Sequence, residues 1–344
     1  MTPADLRSVL ARYPALSPWT LATESSHRPG FSGAGVVRLE TAFGPMAMRC
    51  WPAGWPAERL RGLHRLLGQI QRQGVEVIAV PFRSDTGDTL VEAAGAWWQI
   101  EPWLPGRADY HRQPSRQKVA AAMTALAQWH LAASGFQPHS SESTWFRPAG
   151  SGFCPATEER LHAIAQLSPP MIRDWQALAL RNAPLELHPF VTRLADGVMP
   201  RLSTLQGQLL QAATHSVPLQ PCLRDVWHDH ILYTGDAVTG LIDPSASRTD
   251  SVAVDLARLL GSLVEDHVDD WRFALDEYTK LRPLSLFEQR LIPILDQSGV
   301  VLSAVTWLKW LGPEARRWPD LVPIIDRLQR LTARLERLSL ESSL

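Results

Sequence analysis

Ionisable side chains are concentrated between residues 221 and 256 of this chain. The segment predicts a short strand over residues 222–224, a loop that begins at Asp225 and then a β-hairpin over residues 231–242. Gly235-Asp236 separates the two apolar runs of that hairpin and is typical turn sequence. The predicted second strand of the hairpin, residues 238–242, leads directly into Asp243. We therefore expect both aspartates at the same end of the hairpin, where two carboxylates can share a polyphosphate and its metal ion.

The loop after Asp225 also contains His228, Asp229 and His230. Alternate residues of a loop can reach one metal ion, so His228 and His230, together with Asp225 or Asp243, are compatible with a metal-dependent hydrolase. A single His-x-His pattern is a weak signal. A hydrolase would also leave the glycine-rich turn near the N-terminus without a role.

That glycine-rich turn contains Gly30, Gly33 and Gly35, directly before a predicted strand–turn–strand that ends near residue 50. Glycine lets a backbone approach a phosphate closely and direct N–H groups at it, although the same residues are compatible with an ordinary hairpin. The second strand carries Arg49, whose guanidinium can bind phosphate in a bidentate manner. The alternative for Arg49 is a solvated charge at the end of a strand.

The elements around these residues form two groups. A helix over residues 56–72, with Glu58 as its acid, and strands over 75–81 and 97–101 are expected to complete a small sheet. Residues 101–106 then contain two prolines and a glycine, which interrupt both helix and strand. Helical patterns dominate beyond this point. We interpret the interruption as a hinge between a small sheet lobe and a larger helical lobe.

Length and composition exclude several classes of protein. A chain of 344 residues is long enough for two lobes, and a net charge of -1 indicates neither a nucleic-acid partner nor an anionic membrane surface. No uninterrupted apolar run approaches the roughly 18 residues of a membrane span, and the first helix has no signal-peptide pattern. Three widely spaced cysteines suggest no disulfide framework, so we expect a cytoplasmic protein.

The segment 221–258 resembles the catalytic and metal-binding loops of the aminoglycoside phosphotransferase family, small-molecule kinases related to choline kinase and homoserine kinase. That family has a His-Gly-Asp loop, an Asn five residues after the Asp, a hairpin, a Gly-Leu-Ile-Asp loop and an Asp-Leu-Ala helix. In the same order, this chain has Leu223-Arg224-Asp225, His230, Gly240-Leu241-Ile242-Asp243 and Asp255-Leu256-Ala257.

The resemblance implies an α+β, bilobal protein-kinase-like fold. Residues 1–101 would form a small N-terminal lobe with an antiparallel sheet that binds the nucleotide, and 102–106 would be the hinge. Residues 107–344 would form a larger, mainly helical C-terminal lobe for catalysis and substrate binding. The helices between 157 and 214 match no motif, so the acceptor is not specified.

The implied activity is ATP-dependent transfer of the γ-phosphate to a hydroxyl group of a small molecule. Asp225 would act as the base. His230 and Asp243 would hold Mg²⁺, or Mn²⁺ because imidazole suits that ion better. Asp255 would accept backbone N–H groups that support the catalytic loop, although its helix pattern places it away from the apolar face. The residues expected to bind nucleotide are Ser32, Gly33, Gly35, Arg49, Glu101 and Trp103.

Three positions depart from the family pattern. Arg49 stands where the family has Lys, Arg224 where it has Gly, and His230 where it has Asn. Arg224 could bind phosphate or stabilise the ionised form of Asp225. Together these departures keep open a pseudokinase, meaning a nucleotide-binding or scaffold protein with this fold but without turnover.

Overall fold

The N-terminal sheet has five antiparallel strands in the computed structural model, which describes residues 2–21 and 34–338. In chain order the strands are β1 (Trp19–Leu21), β2 (Gly35–Thr41), β3 (Gly44–Cys50), β4 (Val91–Ala93) and β5 (Ala96–Pro102). Their order across the sheet is β1-β2-β3-β5-β4, and neighbouring strands are antiparallel. The predicted small antiparallel sheet lobe is confirmed.

One face of this sheet packs on the first helix, α1 (Pro3–Leu10). Side chains alternate along a strand, so Leu39 of β2 and Met48 of β3 point to the same face. Both are fully buried in one cluster with Val9 of the helix. Thr2 begins the helix with a capping box, in which its hydroxyl accepts the Asp5 N–H and the Asp5 carboxylate accepts the Thr2 N–H.

The predicted strand over residues 75–81 is wrong. This segment makes only an isolated parallel bridge between Ile78 and Leu241, where the Leu241 N–H donates to the Val77 carbonyl at 2.6 Å. A strand requires a free sheet edge to pair with. β4 pairs with β5 over Ala96–Trp98, and the Ile100 carbonyl of β5 accepts the N–H of Phe82, which lies beyond the predicted segment.

The remaining strands are short. They are β6 (Gly150–Gly152), β7 (Val217–Cys222), β8 (Ile231–Thr234), β9 (Ala237–Leu241) and β10 (Arg248–Asp250). β8 and β9 form the predicted antiparallel hairpin, with Gly235 in the turn at a φ of 61°. β10, β7 and β6 form a separate sheet in that order.

The rest of the described chain is mainly helical. The longer helices after α1 are α2 (Ala57–Arg72), α3 (Arg116–Ser134), α4 (Pro155–Ala165), α5 (Pro169–Asn182), α6 (His188–Val198), α7 (Leu202–Ala212), α8 (Ala253–Leu263), α9 (Val268–Thr279), α10 (Leu286–Leu311) and α11 (Val322–Arg337). Within residues 2–21 and 34–338, α10 alone is long and apolar enough to pass for a membrane span, with 56% of that stretch buried inside the protein.

The chain divides into two compact units. The first contains residues 1–149 and 228–248, and the second contains 150–227 and 249–344. The first unit therefore holds the five-stranded sheet, α1 to α3 and the β8–β9 hairpin, whereas α4 to α11 belong to the second. The predicted lobes, 1–101 and 107–344, assign α3 and the hairpin differently and remain a prediction.

The predicted hinge packs on the β8–β9 hairpin within the first unit. Arg107 and Tyr233 exchange two backbone hydrogen bonds, both of 2.9 Å, and the Thr239 hydroxyl donates to the Pro105 carbonyl. Gly106 has a φ of 100°, and a Cβ atom there would lie 2.3 Å from the Thr239 oxygen. Only glycine satisfies both the backbone conformation and this close approach.

Candidate functional site

Asp243 lies two residues beyond the end of β9, in the first unit. Its backbone is left-handed, with φ 54° and ψ 60°, a conformation that costs a non-glycine residue about 1–3 kcal/mol and is concentrated at functional sites. Its Oδ1 atom is buried and accepts no hydrogen bond in the described structure. A buried carboxylate oxygen without a donor is suited to a metal ion.

Arg49 extends from β3 towards this carboxylate. Its guanidinium lies 3.7 Å from Asp243 Oδ1 and 3.5 Å from Glu101 Oε1, and it also packs over the Trp51 ring at 5.4 Å. The Arg49 side chain is only 12% exposed. Arg49 is therefore not the solvated strand-end charge that its sequence position also allowed. It is a cation held between two carboxylates.

Glu101, on β5, is the buried counter-ion of Arg49. Burial raises the pKa of this carboxyl group, and the neighbouring Arg49 opposes that change. The Gln99 amide donates to Glu101, and the Gln99 oxygen in turn contacts His64 Nε2 of α2 at 2.8 Å. The acid beside Arg49 thus comes from a strand, whereas Glu58 of α2 is exposed. The nucleotide-binding role expected for Glu101 remains a prediction.

Because His64 is buried, we expect the free energy of unfolding to depend on pH in a specific way. Desolvation lowers its pKa from 6.5 to about 4. Between these pH values the unfolded chain binds more protons than the folded chain. The free energy of unfolding should therefore fall by about 3 kcal/mol as the pH drops from 6.5 to 4.

Urea unfolding between pH 4 and 7, followed by tryptophan fluorescence, measures this contribution. His64→Gln should flatten the pH dependence, whereas the exposed His162→Gln should leave it unchanged. Parallel pH profiles for wild type and His64→Gln would contradict the assignment.

The other residues predicted to bind nucleotide lie in different parts of the first unit or outside the described residues. Ser32 and Gly33 lie outside the described residues. Gly35 begins β2 and is paired with Cys50. The backbone N–H of Trp103 donates to the Pro45 carbonyl. The half-exposed Trp103 ring has its centroid 5.3 Å from the Arg38 guanidinium.

The His230 carbonyl accepts the Ile242 N–H at 3.0 Å, which places the His230 backbone opposite the residue before Asp243. The His228 ring instead packs edge-on against His111, with centroids 4.2 Å apart. Within the described ranges, no cluster of three ligand atoms within 4.8 Å includes His228 or His230. A zinc-type hydrolase site is therefore not preformed here, whereas a divalent ion bound mainly by phosphate oxygens needs only one or two protein ligands.

Asp255, in the second unit, supports the loop that carries Asp225. Its carboxylate accepts the N–H of Leu223 at 2.7 Å and that of Arg224 at 2.5 Å. The side chain of Asp255 is fully buried, so it is not a solvated charge on α8. The strand before this loop, β7, also ends at Cys222 rather than at Arg224. The two backbone hydrogen bonds offset the cost of burying the Asp255 charge.

Arg224 adopts the left-handed conformation, with a φ of 65°, at the position where the family pattern has glycine. Its guanidinium lies 3.0 Å from the fully buried Asp250 and 2.6 Å from Glu159. Burial raises the pKa of Asp250, and Arg224 opposes this. The Arg224 side chain thus neutralises a buried acid. Neither role considered from the sequence, phosphate binding or stabilisation of Asp225, matches these contacts.

Replacing Arg224 with glycine, the residue of the family pattern, is expected to destabilise the protein, although it would relieve the strain of the left-handed backbone conformation. Loss of one partner from a buried ion pair outweighs the strain, giving a net loss of about 2–4 kcal/mol. Adding Asp250→Asn should recover most of that loss, because the uncompensated charge is then removed. Urea unfolding of the two single variants and the double variant tests this, and an Arg224→Gly protein as stable as wild type would contradict it.

Asp225 is half exposed and pairs with Arg258. Arg258 Nη2 and Nε lie 3.1 and 3.2 Å from Asp225 Oδ1. The guanidiniums of Arg258 and Arg327 lie 5.9 and 5.0 Å from the centroid of the Trp227 ring. Sequence reasoning did not identify this cluster.

Comparison with known proteins identifies the family to which this chain belongs. The model of the phosphotransferase enzyme family matches residues 25–287, more than half of the chain. The chain belongs to that family. The chain is 28% identical over 241 residues to the homoserine kinase of Rhodopseudomonas palustris, an alignment that covers 67% of this chain and 63% of that protein. The chain thus spans somewhat less than two thirds of the curated relatives' length.

Solved structures of phosphotransferases share the fold. An aminoglycoside phosphotransferase from Alicyclobacillus acidocaldarius matches with a TM-score of 0.64 and 16% identity, covering 98% of this chain and 92% of that chain. Amicoumacin kinase, solved with AMP-PNP, Ca²⁺ and Ami, matches with a TM-score of 0.62 and 14% identity, covering 96% and 93%. The predicted bilobal, protein-kinase-like α+β fold is confirmed.

Proposed function

We propose that this member of the phosphotransferase family transfers the γ-phosphate of ATP to a hydroxyl group of a small molecule, with Mg²⁺ or Mn²⁺ as the metal ion. The observation that carries the proposal is the pair formed by Arg49 and Asp243. A cation whose side chain is only 12% exposed faces a strained carboxylate whose Oδ1 atom has no hydrogen-bond donor among the described residues. Phosphoryl transfer depends mainly on such positioned charges, which bind and neutralise the phosphates.

Each site residue has a role in this proposal. Arg49 would bind phosphate oxygens, and Asp243 would hold the metal ion, with His230 as a second ligand or as an acceptor for metal-bound water. When bound, the ion would neutralise charge on the phosphates. Asp225 would orient the acceptor hydroxyl and accept its proton. A cytoplasmic location and the use of a small-molecule acceptor are part of the same proposal.

Two alternative functions, a pseudokinase and a metal-dependent hydrolase, can be distinguished from this proposal. A pseudokinase would bind the nucleotide without transferring phosphate. The departures from the family pattern at Arg49, Arg224 and His230 are the reason to consider a pseudokinase. The contacts of Arg224 with Asp250 and Glu159 account for that substitution structurally, so it carries little weight against catalysis. A metal-dependent hydrolase using His228 and His230 would retain zinc, which elemental analysis of the purified protein detects.

Nucleotide-dependent stabilisation tests the proposal directly. ATP with Mg²⁺ or Mn²⁺ should raise the melting temperature, since a ligand at 100 times its Kd stabilises a protein by about 2.7 kcal/mol. Asp243→Asn should lose the metal-dependent part of this stabilisation and still fold, because Asn tolerates the left-handed conformation. Asp236→Asn, at the other end of the hairpin, is the matched control. A wild-type protein unaffected by any nucleotide–metal pair would refute the proposal.

A further inference from the structure

The side chain of Arg59 joins helix α2 to the loop that begins at Asp243. We call residues 243–247 the metal loop, because Asp243 is the proposed metal ligand. The Arg59 guanidinium donates to the Ser245 carbonyl at 3.0 Å, although the two residues are 186 positions apart in sequence. Both residues belong to the first unit. A helix near the N-terminus thus contacts the metal loop two residues beyond Asp243.

The backbone of the metal loop depends on contacts with other parts of the first unit. Asp243 is left-handed, and such a conformation persists only where the surrounding structure imposes it. The next residues, Pro244–Ala246, form a short 3₁₀ turn in which the Ser247 N–H donates to the first carbonyl at 2.9 Å. The following carbonyl, that of Ser245, accepts the Arg59 donor. Arg59 therefore fixes the backbone directly after the strained residue.

Two tryptophan rings fix the direction of the Arg59 side chain. Its guanidinium lies 4.9 Å from the centroid of the Trp55 ring, and the centroids of the Trp55 and Trp51 rings are 4.7 Å apart. The Trp51 ring lies in turn 5.4 Å from the guanidinium of Arg49, which is 3.7 Å from Asp243 Oδ1. Two cations and two indoles thus form one continuous set of contacts. Both ends of this set lie against the metal loop.

The position of Arg59 in α2 also indicates a tertiary role. Arg59 is the third residue of the helix, where a cation is unfavourable because it faces the positive end of the helix dipole. Its side chain is also only partly exposed. Local preference therefore does not account for Arg59, whereas its contact with the metal loop does. Residues that break a local rule are expected at functional sites.

We propose that Arg59 is a positioning residue for the metal ion, because it holds the metal loop in the conformation that directs the Asp243 carboxylate. Arg59 acts through the Ser245 carbonyl and does not contact the ion. This inference rests on the proposed function, since it assumes that Asp243 binds the metal ion. Groups that orient a metal ligand typically contribute about 10- to 100-fold to metal affinity.

Metal titrations of Arg59→Gln test this role without any phosphate transfer. Mn²⁺ is added to the protein in saturating ADP, and thermal stabilisation and the loss of the free Mn²⁺ electron paramagnetic resonance signal are measured. We expect the Mn²⁺ concentration for half-maximal binding to rise by about tenfold. Arg59→Lys retains a cationic donor for the Ser245 carbonyl, and its Mn²⁺ requirement should stay within about threefold of wild type.

Arg61→Gln is the matched control on the same helix. Arg61 pairs with Asp88 at 2.7 Å, and its guanidinium lies 5.7 Å from the centroid of the Trp97 ring. The control thus removes contacts of the same kind from α2 but leaves the contact with the metal loop intact. Its Mn²⁺ requirement should equal that of wild type.

Amide hydrogen exchange of the metal-free protein measures the metal loop itself. In Arg59→Gln a peptide that covers residues 241–248 should exchange at least about fivefold faster, because the loop opens more often once its contact with α2 is lost. A peptide that covers residues 233–240 of the hairpin should exchange as in wild type. Arg61→Gln should leave both peptides unchanged.

The outcomes separate the inference from the proposed function. An unchanged Mn²⁺ requirement in Arg59→Gln overturns the inference, and so does an equal rise in Arg61→Gln. Faster exchange throughout the first unit of Arg59→Gln, rather than in the metal loop alone, also overturns it, because Arg59 would then be a general structural contact. In each of these cases the proposed function stands if nucleotide and metal stabilise the wild-type protein. A wild-type protein that no nucleotide–metal pair stabilises refutes the proposed function, and the inference with it.

Discussion

Asp225→Asn is expected to lower the rate of phosphate transfer by about 10²- to 10⁴-fold, the contribution typical of a positioned general base. Asparagine keeps the size of the side chain but cannot accept the hydroxyl proton. Stability should change little, because Asp225 and Arg258 are partly exposed and such ion pairs contribute about 0–1 kcal/mol. Single-turnover transfer from ATP, measured beside thermal stabilisation by ATP and metal, separates catalysis from nucleotide binding.

Asp269→Asn provides the control for this variant. It removes one carboxylate from the same unit at a position where the side chain is 85% exposed, and transfer should be unaffected. If Asp225→Asn transfers phosphate at the wild-type rate, Asp225 is not the base. If Asp225→Asn loses both phosphate transfer and stabilisation by nucleotide, the role of Asp225 is in nucleotide binding rather than in proton transfer.

Asp255→Ala is expected to destabilise the protein by about 3–6 kcal/mol, since two charge-assisted hydrogen bonds of about 1.5–3 kcal/mol each are lost. The Leu223 and Arg224 N–H groups would remain without their acceptor in a buried loop. Because this loop carries Asp225, transfer should also fall in the fraction that still folds. Urea unfolding gives the loss of stability, and kinetics at low temperature give the loss of activity.

Asp326→Ala is the matched control for Asp255→Ala. Asp326 also lies on a helix of the second unit, but it is 56% exposed and pairs with Arg330 one turn away. Its replacement should cost about 0.5 kcal/mol or less. An Asp255→Ala protein as stable as this control would show that the loop is held by other contacts.

Contacts between residues close in the chain could be predicted from the sequence. Gly235 at the hairpin turn and the capping box at Thr2 both depend on neighbours a few positions away. The resemblance of segment 221–258 likewise placed the chain in the correct family. Local pattern and motif order were therefore sufficient for the fold class and for the family.

The partners of the charged residues were decided only by the tertiary structure. Glu101 reaches Arg49 from a strand 52 residues away in sequence, and Asp250 and Glu159 reach Arg224 from opposite directions in the chain. The resemblance implied that Asp255 accepts backbone N–H groups, but the helix pattern did not show that its side chain is fully buried. The physical reason is that a buried charge is tolerated only beside its counter-charge or hydrogen-bond donors. The sequence specifies the charges, whereas folding determines which of them meet.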